Sequence, residues 1–255
     1  MNNGIHHANE VIKKFYISKP CEYSIEDIID GLRGPEINYQ PMKRGQGRIL
    51  HGDKYSIITI NSKINHEGRR RFTLSHELGH YIMHRDQNYF YCNEENLMDW
   101  NEYNKKETEA NYFASELLMP TNIFYKYSSK EMFTIKSIKY LAETFQTSIT
   151  ATSIKYAEYG YDPIFLICSK GGTIKWFKYN NDFCFFVDLT KIRELPKTSL
   201  TYESVILGNN VGDDAVEIDP LTWNIDHKGT TLKFYESCFT MTKYNYTLTY
   251  LSIRE

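Results

Sequence analysis

The sequence predicts an α+β fold in two parts: a helix-rich N-terminal part with a small sheet, then a smaller, mostly β C-terminal part. Three observations predict it. Apolar residues recur at helical spacing through most of the first 160 positions, as in Ile25, Ile28, Ile29 and Leu32. That pattern is interrupted once, by three short runs that end in the β-branched stretch YSIITIN, Tyr55–Asn61. From Tyr161 the apolar period falls to two, and Lys170-Gly171-Gly172 reads as a hairpin turn. The domain boundary is expected near Gly160, giving a domain 1–160 and a β-rich domain 161–255.

Composition narrows the function classes. Hydrophobic residues make up 41% and charged ones 24%, enough apolar surface to build a core. The net charge of −2 gives no bulk attraction to nucleic acid or anionic membrane. The first fifteen residues, MNNGIHHANEVIKKF, lack the apolar run of a secretory signal. The longest apolar runs, Ile164–Cys168 and Phe183–Val187, are strand-sized rather than membrane-spanning. Five scattered cysteines, an odd number with no C-x-x-C pair, fit a reduced, cytoplasmic chain.

In order, Ala8–Ile17 reads as a short helix ended by Pro20. Ser24-x-x-Asp27 opens a second, over Ser24–Leu32, stopped by Gly34-Pro35. Strands are expected at Glu36–Tyr39, Gly47–His51 and Tyr55–Asn61, and a long helix follows. Arg85–Asn101 reads as a loop. Tyr103–Met119 is a helix stopped by Pro120, and Thr121–Tyr127 a further short one. Thr134–Phe145 and Ser148–Tyr159 read as two helices joined by Gln146-Thr147, with Gly160 as the stop. Strands are then expected at Ile164–Cys168, Thr173–Phe177, Phe183–Asp188, Val216–Asp219, Thr231–Tyr235 and Tyr246–Ile253.

The long helix carries the chemistry. Its centre, His76-Glu77-Leu78-Gly79-His80, is an H-E-x-x-H motif. Residues four apart share a helix face, so both imidazoles can address one metal ion while Glu77 stands beside it as general acid/base. Phe72, Leu74, Leu78, Ile82 and Met83 make the helix apolar on more than one side. A buried His-Glu-His cluster is costly without a ligand to satisfy it. Gly79, a poor helix former, marks a place where another backbone approaches closely.

A third ligand is needed. Asp86, Glu94, Glu95, Asp99, Glu102, Glu107, Glu109 and His84 are in reach along the chain. His84 is one turn beyond His80, and three successive turns span about 12 Å, too far for one ion. His84 is therefore expected beside the site rather than on the metal. Glu107 shares a helical stripe with Ala110, Asn111, Ala114, Leu117 and Leu118, whereas Glu109 falls about 200° away, beside Glu116, where a solvated glutamate suffices. A carboxylate on a buried face needs a cation, which selects Glu107. Asn111, one turn on, can hydrogen-bond a ligand imidazole. Tyr81, His66, His84 and the run Arg69-Arg70-Arg71 are the available donors for a developing oxyanion. The ion expected is zinc, one per chain, with manganese as the alternative.

RRRFTLSHELGHYIMH followed by ETEANYFASELLMP resembles the ImmA/IrrE family of bacterial and phage metallo-endopeptidases, almost residue for residue. The resemblance runs from about Val11 to Gly160 and implies a zincin-like catalytic domain. It implies His76, His80 and Glu107 as zinc ligands, in agreement with the helical-angle choice, and Glu77 as the catalytic residue. It also implies a substrate, a helix-turn-helix transcriptional repressor whose cleavage relieves repression under stress or on mobile-element induction. Two other readings compete: a non-proteolytic zinc-containing regulator, and a DNA-binding regulator using the pair 134–160. The second helix of that pair, SITATSIKYAEY, has Lys155 as its only basic residue, a poor match to a groove-reading helix. No membrane or direct nucleic-acid partner is expected.

Overall fold

A computed structural model describes residues 2–52, 54–85, 89–92, 105–179, 182–209, 211–242 and 245–254. It is α+β throughout, and the chain divides into two compact units. One comprises Met1–Ile123 with Ala142–Ser148, the other Phe124–Leu141 with Ile149–Glu255.

In the first unit, helix α1 (Asn3–Lys14) begins on Asn2, whose side chain accepts from the Gly4 N–H. Helix α2 (Ile25–Gly31) has the reciprocal cap foreseen for Ser24 and Asp27 and buries Ile25, Ile28 and Ile29. Strands β1 (Glu36–Gln40), β2 (Gly47–His51) and β3 (Ser56–Asn61) follow. Helix α3 (Glu67–Met83) then lies on β2 and β3. The expected loop at Arg85–Asn101 is partly wrong: Tyr89–Cys92 forms β4, antiparallel to β2. The sheet order is β1-β3-β2-β4, with β1 and β3 parallel. Helix α4 (Lys105–Leu118) packs between α1 and α3.

The arginine run has a structural explanation. Arg70 pairs with Glu67 one turn earlier. Arg71 is buried and donates to the carbonyls of Phe145 (2.9 Å) and Gln146 (3.1 Å). It thereby satisfies the unpaired end of helix α6 (Ile135–Phe145), whose chain turns at Gln146 with φ 50°. Arg71→Ala removes a charged donor from the buried Phe145 carbonyl and from the turn at Gln146. A loss of roughly 2–4 kcal/mol is expected in denaturant unfolding, and a change below about 0.5 kcal/mol would refute the assignment.

In the second unit, β5 (Ile164–Lys170), β6 (Thr173–Tyr179), β7 (Val216–Ile218), β8 (Lys233–Met241) and β9 (Tyr246–Arg254) form an antiparallel sheet of order β6-β5-β9-β8-β7. Gly171 and Gly172 turn the β5–β6 hairpin at positive φ, 55° and 87°. Phe165, Ile167, Phe183, Val187, Trp223, Phe234 and Leu251 form the core. Phe183–Asp188 is not a strand. It buries Phe183 and Val187, but its only ladder contact among the described residues is a bridge from Val187 to Ile225. A short helix, Leu200–Val205, and two 3-10 turns were not foreseen.

Helix α5 (Thr121–Ser128) and helix α7 (Ile149–Tyr159) complete the helical part. Helix α7 packs on β5 and β6 and buries Thr150 and Thr152–Ala157. With Lys155 itself inside, this helix has no basic face for a DNA groove. Among the described residues no helix is long and apolar enough to cross a membrane.

Candidate metal centre

Helix α3 buries every residue from Arg71 to His80. Gly79 makes this possible, though not by admitting a backbone: a Cβ there would lie 3.0 Å from the Phe113 ring of α4. The two helices therefore meet closely at the motif, and α4 brings Glu107 to the histidines. His76 Nε2 and His80 Nε2 are 3.0 Å apart. Glu107 oxygens lie 3.2 Å from His76 Nε2 and 3.3 Å from His80 Nε2. Both histidines are fully buried.

The protons in this cluster can be placed. A neutral imidazole carries one N–H. His76 Nδ1 lies 2.9 Å from the Asn111 side-chain oxygen, which only accepts. The proton is therefore on Nδ1, and Nε2 presents a lone pair. Burial pushes the His80 imidazolium pKa down to about 4, so that ring is neutral near pH 7. Lone pairs and a carboxylate thus converge in a sealed space, which calls for a cation. Donors about 2.0–2.1 Å from a tetrahedral zinc ion lie roughly 3.3–3.4 Å apart, close to the three edges observed. His76, His80 and Glu107 fit such an ion in number, type and spacing.

Glu77 faces the sheet. Its Cγ and Oε1 lie against Gly47 at the start of β2, where a Cβ would be 3.2 and 2.9 Å away. Both its oxygens are buried and without a hydrogen-bond partner among the described residues. Burial, with repulsion from Glu107, raises its pKa well above the ordinary carboxylate value. Gly47→Ala is expected to push aside both the Thr73 methyl, which its Cβ would meet at 2.7 Å, and this carboxylate. For a general base, displacement by 1 Å can cost about 100-fold in rate; peptidase activity of Gly47→Ala equal to wild type at unchanged metal content would show that Glu77 does not act from this position.

The remaining candidates separate. Asn111 meets His76 through the 2.9 Å contact. His84 is buried and has both ring nitrogens engaged, Nδ1 with His80 Nδ1 (3.0 Å) and Nε2 with Glu109 (2.9 Å). It is not free to serve a substrate. The solvated reading of Glu109 and Glu116 fails: Glu109 meets His84, and Glu116 accepts from Thr121 N (3.0 Å) and Oγ1 (2.6 Å) to cap α5. Tyr81 is not drawn to the cluster. Its ring stacks near His51, takes the Arg85 guanidinium at 4.1 Å, and borders a cavity of about 590 Å³ that none of the three donors lines. His66 caps the far end of α3. Asp86, Glu94, Glu95, Asp99 and Glu102 lie outside the described residues.

Comparison with known proteins points the same way. The peptidase family described as an IrrE N-terminal-like domain matches residues 32–155. The chain is 34% identical over 131 residues to an uncharacterized immunity region protein of Bacillus phage phi105, covering 51% of this chain and 77% of that one. It is 29% identical over 147 residues to the radiation response metalloprotease IrrE of Deinococcus deserti, covering 56% of this chain and half of that protein. In structure it is similar to a Mycobacterium tuberculosis transcriptional regulator, with a TM-score of 0.65 at 10% identity over 99% of this chain and 76% of that one, a likeness of fold.

Proposed function

The chain belongs to the ImmA/IrrE family, and from that premise we propose that it is a zinc-dependent endopeptidase whose substrate is a helix-turn-helix transcriptional repressor. One observation carries the reading: two buried imidazole lone pairs and a carboxylate converge, with an unpartnered buried glutamate next to them in sequence. The relative from a phage immunity region supports a repressor as substrate.

His76, His80 and Glu107 hold the ion. When bound, it supplies Lewis acidity and lowers the pKa of a coordinated water to about 7. Glu77 takes the water's proton and returns it to the departing amine. Its sealed, apolar seat favours the protonated form, so the proton is kept until the amine leaves. In this reading residues 1–160 are the catalytic domain and residues 161–255 serve substrate binding or signal sensing. The protein works in the cytoplasm, where Cys21, Cys168, Cys184 and Cys238, all unpaired, stay reduced.

Purified protein is expected to bind close to one zinc, and His76→Ala to lose most of it. Full zinc in the alanine variant would overturn the ligand set. Co-expression with candidate helix-turn-helix repressors tests the substrate class; a panel of such repressors left intact by the zinc-loaded protein would refute it.

A further inference from the structure

His76 is oriented by Asn111; His80 is oriented by something the motif does not contain. We propose that Glu109, acting through His84, is the positioning residue that sets the tautomer of His80 and so turns its Nε2 lone pair to the metal. This rests on the metal-site reading above.

The argument is proton counting along three contacts. The Glu109 carboxylate only accepts, so the 2.9 Å contact places a proton on His84 Nε2. With its one N–H directed at Glu109, the His84 imidazole presents a lone pair at Nδ1. That nitrogen lies 3.0 Å from His80 Nδ1, and a contact of that length needs one proton. The proton must belong to His80. His80 Nε2 is left as a lone pair, 3.0 Å from its counterpart on His76. Without the carboxylate, the His84 proton is free to sit on Nδ1. The contact then reverses, His80 accepts at Nδ1, and its own proton moves to Nε2, where it blocks the metal. An acceptor at the far end of such a chain also makes the ligand imidazole more basic.

Glu109 is itself held. Asn3 Nδ2 reaches its Oε2 at 3.4 Å, and Lys105 Nζ lies 3.9 Å from Oε1. Helix α1 approaches α4 at this residue through Gly4, where a Cβ would fall 2.0 Å from the Glu109 carbonyl oxygen. The first helix therefore closes over the end of the chain of contacts, a position that gives its glycine and asparagine a role beyond packing.

The test measures zinc affinity by chelator competition, with ¹⁵N NMR of the histidine rings in the zinc-loaded wild type. Glu109→Ala is expected to weaken zinc about 10–100-fold. Glu109→Gln is expected to recover most of that loss, because its amide oxygen accepts the same proton. NMR is expected to show His84 protonated at Nε2 and His80 at Nδ1. Zinc affinity in Glu109→Ala within about twofold of wild type, a Gln variant as weak as the Ala variant, or His84 protonated at Nδ1 would each overturn the proposal. The wild-type spectrum decides even if the alanine variant does not fold. Zinc retained by His76→Ala would instead overturn the metal site itself, so the two failures are distinguishable.

Discussion

Glu77→Gln is expected to abolish repressor cleavage, keep the metal, and stabilise the metal-free protein. The loss of a general base costs about 100- to 10,000-fold in rate. The substitution touches none of His76, His80 and Glu107, so zinc content should stay near one. The stability effect follows from burial. Both Glu77 oxygens are sealed without partners among the described residues, and an unsatisfied buried group costs about 1–3 kcal/mol. The sign with pH is determined by the shift. The folded pKa is raised above the ordinary 4.5, so folding favours the protonated form. The stabilising contribution is present below 4.5 and is lost as pH rises through the folded value. Metal-free wild type should therefore lose ground to the Gln variant from pH 5 to pH 8 in thermal melts. Cleavage by the Gln variant, or a wild type that gains on it with pH, would sink the assignment.

The same burial explains what was legible in the sequence. The shared face of His76 and His80 depends only on helical spacing, so the motif announces it. Glu107 was reachable because its neighbours on α4, from Ala110 to Leu118, mark one stripe as buried. The angle that picked Glu107 mislocated Glu109, because it described α4 as if only one side were covered. Helix α1 covers the other flank at Gly4, and His84 reaches Glu109 from α3. Nothing in the local pattern encodes that pairing. The sole hint was His84 itself, a third histidine at the same spacing. Arg71 was illegible for a like reason: its partners are carbonyls of Phe145 and Gln146, and carbonyls leave no trace in a sequence. Phe183–Asp188 misled because side-chain alternation is visible, whereas the absence of a ladder neighbour is not.

Glu236→Ala is expected to cost on the order of 3–6 kcal/mol, enough to consume much of a domain's usual margin of about 5–15 kcal/mol. Glu236 is fully buried in β8. Its carboxylate accepts from Thr201 N (2.8 Å), Thr201 Oγ1 (2.6 Å), Leu200 N (3.2 Å) and Trp223 Nε1 (3.0 Å). It therefore ties the start of the Leu200–Val205 helix and the Pro220–Trp223 turn to the sheet. Alanine removes the acceptor that these N–H groups share among the described residues and leaves them facing an apolar core around Trp223. Glutamine should be intermediate: its oxygen can keep Thr201, while its amide hydrogens oppose the Leu200 and Trp223 donors. No cation is required here, since neutral donors meet both oxygens, and this separates Glu236 from Glu107. Denaturant unfolding followed by tryptophan fluorescence should rank the midpoints wild type, Gln, Ala. Equal midpoints would show that the carboxylate does not anchor these segments.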